Sequence, residues 1–173
     1  MKKIAIIFSL AASLMGLDFN EIKSQIKTQN ISGDFAQTKF LSGFNVEFKS
    51  YGKFELSQSE LLYDTLSPIA VSIVINERGI FQKSGNQLIK IDQNFDKKLF
   101  LSIIKLDKDE LEKEFIFKIS GDKNNWKIEL TPKNVLLKQI FTRILVGGDK
   151  FVRKIVLNEV SGDKTINDFY NVK

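Results

Sequence analysis

Apolar and polar residues alternate with a period of two through most of this chain, in short runs separated by Gly, Asn and Asp. That period places every second side chain on the same face of a strand, and runs recurring at short intervals are typical of an antiparallel meander. The sequence therefore predicts about ten strands in one antiparallel sheet. The clearest runs place the following pairs on common faces: Ile73 and Ile75, Ile89 and Ile91, Phe115 and Phe117, and Trp126 and Ile128.

Two segments with helical spacing, residues 18–29 and 96–114, interrupt this alternation, and a helical turn is expected at 134–139. Asp107 with Glu110 forms a capping-box pattern, which predicts a second short helix inside the 96–114 segment. These helices are the candidates to cover the inner face of the sheet. The predicted fold class is α+β. The covered face either encloses an apolar space or is filled by Phe and Ile side chains, and the sequence leaves both open.

The first sixteen residues have the layout of a secretory signal peptide, with Lys2 and Lys3, an apolar run from residue 4 to 10, and a small-residue exit. Cleavage is expected after Ser13 or Gly16, and residues 17–173 are expected to form a single domain. The apolar run is too short for a stable transmembrane span, although an uncleaved anchor is the alternative. The sequence predicts an exported, periplasmic protein.

Composition excludes several kinds of site. The chain has no His and no Cys, so it lacks Ser–His–Asp and Cys–His nucleophile pairs, thiolate zinc sites and disulfides. Its net charge of +5 comes from dispersed Lys and only three Arg, a pattern unlike that of nucleic-acid binders. Acidic residues 107–114 are interpreted as a solvated helix face rather than a calcium loop. A hydrolase using two carboxylates would need a polar cleft, which the alternation does not indicate. We therefore expect no enzyme activity, cofactor or metal.

Several motifs follow one another along the chain: Phe35-x-Gln37, Gly43 to Gly52 with Phe54, Leu62-Tyr63 followed by Pro68, Trp126 to Lys133, and Ile155 to Glu159 with Gly162 to Thr165 and Phe169. Taken in this order, they resemble the periplasmic lipoprotein-carrier (LolA-like) family over nearly the whole mature length. The later motifs are most similar to a subgroup linked to glycolipid or fatty-acyl export.

The resemblance implies a curved, incompletely closed antiparallel barrel with short helices as a lid. It also implies a carrier that takes acylated lipoprotein or lipid cargo from an inner-membrane transporter and passes it to an outer-membrane acceptor. The standard carriers have an Arg that helps to fasten the lid a few residues before the position of Tyr63. Residues 54–63 contain no Arg, so the control of the lid is expected to differ here.

The leading hypothesis from these observations is a monomeric, non-enzymatic carrier with an apolar cavity. The alternative is an envelope sensor or protein-binding module on the same fold. The residues expected to line the cavity come from the strand faces and from the lid helix: Phe54, Leu62, Ile73, Ile75, Ile89, Ile91, Leu99, Ile103, Phe115, Phe117, Trp126 and Ile128.

Overall fold

The structure is a computed structural model that describes residues 17–44, 46–91 and 97–173. The predicted signal peptide, residues 1–16, lies outside the described residues. The helices are α1 (Phe19–Gln25), α2 (Lys97–Lys105), α3 (Lys108–Glu114) and α4 (Val135–Ile140). The strands are β1 (Ile31–Leu41), β2 (Val46–Leu56), β3 (Glu60–Ser67), β4 (Val71–Asn76), β5 (Gly79–Ser84), β6 (Gln87–Lys90), β7 (Phe115–Asp122), β8 (Asn125–Pro132), β9 (Phe141–Gly148), β10 (Val152–Glu159) and β11 (Lys164–Tyr170).

The strands of the described residues form one antiparallel sheet of eleven strands in the order β6-β5-β4-β3-β2-β1-β11-β10-β9-β8-β7. The first and last strands pair at the centre. The chain moves outward from β1 to the edge strand β6, crosses through α2 and α3 to the opposite edge strand β7, and returns to the centre. Within the described ranges, the edge strands β6 and β7 are not paired with each other, so the barrel is open. The predicted α+β half-barrel is confirmed, with eleven strands instead of about ten.

A glycine in β2 lets the sheet bend at its centre. The pairing of β2 with β3 shifts register between Tyr51 and Gly52, as in a β-bulge, which increases local bending and twist. A Cβ atom at Gly52 would approach Cε1 of Phe35 to 2.6 Å and would also meet the carbonyl oxygen of Asp64. Only a residue without a side chain lets the neighbouring strand and the Phe35 ring come this close.

Short polar side chains start three of the helices. Asp18 accepts a hydrogen bond from the amide of Glu21 at 2.8 Å, and the Glu21 carboxylate accepts one from the amide of Asp18 at 3.1 Å, a complete capping box. Asp107 caps α3 through the amide of Glu110, and Asn134 caps α4. Such caps satisfy backbone donors that the first helical turn leaves free. The predicted 96–114 segment is thus two helices.

The core lies between the sheet and the helices that cover one face of it, which we call the concave face. Among its completely or almost completely buried side chains are Ile22 from α1, Ile103 from α2 and Leu111 from α3, which belong to the same buried cluster as Trp126 and Ile128 of β8. Within the described residues, no helix is long and apolar enough to cross a bilayer.

Candidate functional site

The concave face has a filled half and an open half. The filled half lies under α1, α2 and α3, where Phe19 of α1 stacks on Phe117 of β7 with ring centroids 5.3 Å apart. Phe115, Trp126 and Ile128 are at most 1% exposed in the same region. Apolar side chains therefore occupy this half, and the space left for a ligand lies beyond it.

The open half is a cleft of about 580 Å³ on the concave face of the central strands. Volumes of this size are usual for pockets that bind small molecules. Its apolar wall comes from β4, β5, β10 and the junction of α4 with β9, and consists of Ile73, Ile75, Ile80, Ile140, Phe141 and Leu157. The alternation of the sequence places these side chains together, because each strand presents every second residue to the same face.

A polar strip runs along the floor of this cleft. The Gln37 amide Nε2 donates to Oδ1 of Asn167 at 2.8 Å, and the Tyr63 hydroxyl donates to the same oxygen at 3.2 Å. Asn167 is only 7% exposed, and burial raises the pKa of the Tyr63 hydroxyl well above its ordinary value. The strip offers amide and hydroxyl groups but no fixed charge.

The mouth of the cleft carries one ion pair. Lys39 Nζ lies 3.8 Å from a carboxylate oxygen of Glu159, and both side chains are partly exposed. An exposed pair of this kind contributes little to stability, about 0–1 kcal/mol. Its position at the mouth instead places opposite charges beside whatever enters the cleft.

Lysine side chains tie the covering helices to backbone carbonyls. Lys105, at the end of α2, donates to the carbonyl oxygen of Gln58 in the β2–β3 turn at 2.8 Å. Lys23 of α1 donates to the carbonyl oxygen of Lys105 at 2.7 Å. Burial lowers the pKa of Lys23, while the nearby carboxylate of Asp107 opposes that shift. Residues 54–63, which contain no Arg, therefore accept a hydrogen bond from a Lys of the covering helix α2. The acceptor is a backbone oxygen, that of Gln58.

The twelve residues predicted to line the cavity fall into three groups. Ile73 and Ile75 line the open cleft. Leu62 points to the opposite, convex face, where it pairs with Val74, and Ile89 on β6 is 54% exposed. The other eight belong to the filled half or pack against it: Phe54, Ile91, Leu99, Ile103, Phe115, Phe117, Trp126 and Ile128.

Sequence reasoning did not select the polar floor or the β10 side of the cleft. Gln37 and Tyr63 belong to the motifs that carry the family resemblance, and Leu157 lies in the alternating 155–159 run. Thr165 of β11 lines the cleft, and Asn167, two residues further along the strand, points to the same face of the sheet. The signal that could have identified them is polar residues at inward-facing positions, because such positions are normally apolar.

Two other depressions are less suited to a ligand. A groove of about 540 Å³ on the convex face has two of its cations already paired, Arg153 with Asp149 at 3.1 Å and Lys154 with Asp168 at 2.8 Å. A smaller one of about 310 Å³ lies between α2, α3 and the β4–β5 turn. Among the described residues, no cluster of acidic side chains could hold a metal ion.

Known structures share this architecture. No protein-family model matches the sequence, and neither does any curated protein. A LolA superfamily protein from Nitrosomonas europaea superposes with a TM-score of 0.51 at 9% identity, over 89% of this chain and 90% of that one. A chain of the Pseudomonas aeruginosa MucA/MucB complex also gives 0.51, at 14% identity, over 89% of this chain but only 54% of its own length. At these identities the likeness concerns the fold, and this chain has the fold of the LolA superfamily.

Proposed function

We propose that this protein is a non-enzymatic periplasmic carrier that binds the acyl chains of lipoproteins or lipids in its cleft. It would take this cargo from an inner-membrane transporter and deliver it toward an outer-membrane acceptor. The observation that carries the proposal is the open, mainly apolar cleft on the concave face, next to a half that is already filled. The secretory pattern of residues 1–16 supports the periplasmic location.

The need for such a carrier follows from the hydrophobic effect. Each methylene group exposed to water costs about 0.8 kcal/mol, so a chain of about sixteen carbons costs on the order of 12 kcal/mol. Free diffusion through an aqueous compartment is excluded by a cost of this size. The aliphatic wall of Ile73, Ile75 and Leu157 would offset part of it without the directional contacts that would prevent release.

The polar floor favours a cargo that carries a polar group. The floor oxygen of Asn167 already accepts two hydrogen bonds, whereas its amide nitrogen and the Gln37 side-chain oxygen have no hydrogen-bond partner among the described residues. Covering these atoms with plain hydrocarbon would cost about 1–3 kcal/mol for each group left without a partner. An ester or amide carbonyl next to the acyl chain would satisfy the amide nitrogen. We infer that the cargo is an amphiphile.

The test compares acyl binding by two variants that add the same side chain to opposite faces. Leu157→Trp fills the cleft, whereas Leu145→Trp places a Trp on the convex face of the neighbouring strand. Native mass spectrometry of detergent-free periplasmic protein and titration with a fluorescent fatty acid measure the binding. We expect an acyl adduct on the wild type and on Leu145→Trp, and at least tenfold weaker binding by Leu157→Trp.

A wild-type mass without an acyl adduct, together with no uptake of the fatty acid, would contradict the carrier proposal. The alternative function, a protein-binding envelope module, would then be preferred. Circular dichroism and a cooperative thermal transition for each variant would show that lost binding is not lost folding.

A further inference from the structure

Exposed apolar side chains are concentrated at one end of the sheet. Most large hydrophobic residues of the strands are buried, but at this end Phe44 is 75% exposed, Val135 70% and Leu136 68%. Single exposed hydrophobic residues are ordinary, whereas a group of them on one surface marks an interaction site. We call this group the apolar rim, and it consists of Phe44, Val46, Phe48, Val135, Leu136 and Val160.

Hydrogen bonds join the three segments that carry the apolar rim. The amide of Val160 donates to the carbonyl oxygen of Ile140 at 2.9 Å, which links the β10–β11 turn to α4. On the other side of that turn, Ser42 donates from its hydroxyl to the carbonyl oxygen of Ser161 at 2.8 Å and from its amide to Asp163 at 2.9 Å. The β1–β2 turn, the β10–β11 turn and α4 therefore form one continuous edge.

The apolar rim lies at the mouth of the cleft. Phe48 is paired with Lys39 across β1 and β2, and residues paired in this way point to the same face of a sheet. Lys39 lines the cleft, so Phe48 continues its wall outward. Ile140, the last residue of α4, lines the cleft as well. A surface that covered the apolar rim would therefore also face the opening.

Basic residues are interspersed with the apolar ones. The segments 39–49, 133–143 and 159–164 contain six Lys or Arg and three Asp or Glu, an excess of positive charge that remains although Lys39, Lys49 and Arg143 lie within 4.0 Å of carboxylates. Lys164 lies over the ring of Phe40 with its Nζ 5.5 Å from the ring centroid. A basic edge with apolar tips complements an anionic lipid surface, where Lys reaches the head groups and the apolar tips enter the acyl boundary.

We propose that the apolar rim docks this protein on the surface of a bilayer containing anionic lipid. The apolar residues sit on separate projections, a hairpin, a short helix and a turn, with cations between them. The centre of a protein–protein interface is instead depleted of charge and continuously packed. Docking brings the cleft mouth to the membrane, so an acyl chain could enter without crossing water. That consequence rests on the proposed function, but the docking itself does not.

Vesicle flotation tests the proposal. The wild type is mixed with vesicles of phosphatidylglycerol and phosphatidylethanolamine, or with phosphatidylcholine alone. The double variant Phe44→Asp/Leu136→Asp removes two apolar tips, and Tyr170→Asp is the matched control at the opposite end of the sheet, where Tyr170 is 42% exposed. We expect flotation of the wild type and of Tyr170→Asp with the anionic vesicles, and at least a fivefold smaller bound fraction for the double variant.

Three results would overturn the proposal: no flotation of the wild type, equal flotation of the double variant, or a concentration-dependent dimer that the double variant abolishes while neither protein floats. The last result would assign the apolar rim to a second copy of this chain. If the double variant does not fold, Phe44→Ser and Leu136→Ser replace it. Fatty-acid uptake measured on the same samples separates failure of docking from failure of the cleft.

Discussion

Tyr63 of β3 stacks face to face on Phe35 of β1, with ring centroids 3.8 Å apart, and the Tyr63 hydroxyl donates to Asn167 of β11. This contact marks the boundary between the two halves of the concave face. Phe35 is completely buried in the filled half, whereas Tyr63 lines the cleft. One aromatic pair therefore closes the core and also forms the floor of the candidate binding site.

Replacing Tyr63 with Phe should make the free energy of unfolding less sensitive to alkaline pH. Burial raises the pKa of the folded-state hydroxyl, so the folded protein keeps a proton that the unfolded chain releases above about pH 10. The free energy of unfolding therefore falls as the pH rises past that point. As the pH rises from 8 to 11, we expect the free energy of unfolding of the wild type to fall by about 1 kcal/mol more than that of Tyr63→Phe, measured by urea titration. An equal fall for both proteins would contradict a raised pKa of the Tyr63 hydroxyl in the folded state.

Replacing Gln37 with Met should change the preference of the cleft among cargos. Met keeps the approximate size of the side chain but removes its amide, whose nitrogen donates to Asn167 at 2.8 Å and whose oxygen can accept from a cargo hydroxyl. We expect monolaurin to bind about three- to tenfold more weakly, the equivalent of roughly one hydrogen bond. Dodecane binding should be unchanged or stronger. Calorimetry with both ligands measures this, and a parallel loss for both would indicate a change of shape rather than of polarity.

Replacing Gly52 with Ala should destabilise the protein strongly. The added Cβ would meet the backbone of β3 and the ring of Phe35, neither of which can move without disturbing the sheet. We expect a loss of about 2–4 kcal/mol in the free energy of unfolding. Gly43→Ala is the control, because a Cβ there meets no atom within 4 Å among the described residues beyond its chain neighbours. A loss under 1 kcal/mol for Gly52→Ala, measured by denaturant unfolding, would refute the close approach.

Replacing Lys105 with Met should loosen the lid. Its ammonium group joins the end of α2 to the carbonyl oxygen of Gln58, whereas the Lys113 ammonium pairs with Glu110 within α3. We expect amide hydrogen exchange in α2 to become several times faster in Lys105→Met and to stay at the wild-type rate in Lys113→Met. If both variants exchange like the wild type, packing rather than this hydrogen bond holds the helix.

Local spacing predicted the helix cap at Asp107, the strand faces around Ile73 and Phe115, and an antiparallel α+β fold, because side-chain period and backbone capping are fixed by neighbours in the chain. The open half-barrel was implied by the resemblance to the LolA-like family. The likeness of the motifs to LolA-like carriers agrees with the fold that the structural comparison shows. The expected carrier role and the periplasmic location remain proposals.

The sequence by itself determined the alternation, the caps and the absence of His, Cys and disulfides, and so it determined the kind of sheet and excluded whole classes of site. Only the tertiary structure decided which inward-facing residues are core and which line a cavity. Phe117 and Ile73 have the same pattern in the chain, but α1 covers Phe117 with Phe19, whereas Ile73 faces the open cleft. The physical reason is that a strand fixes the face of a side chain, and the packing of a distant element decides whether that face is filled.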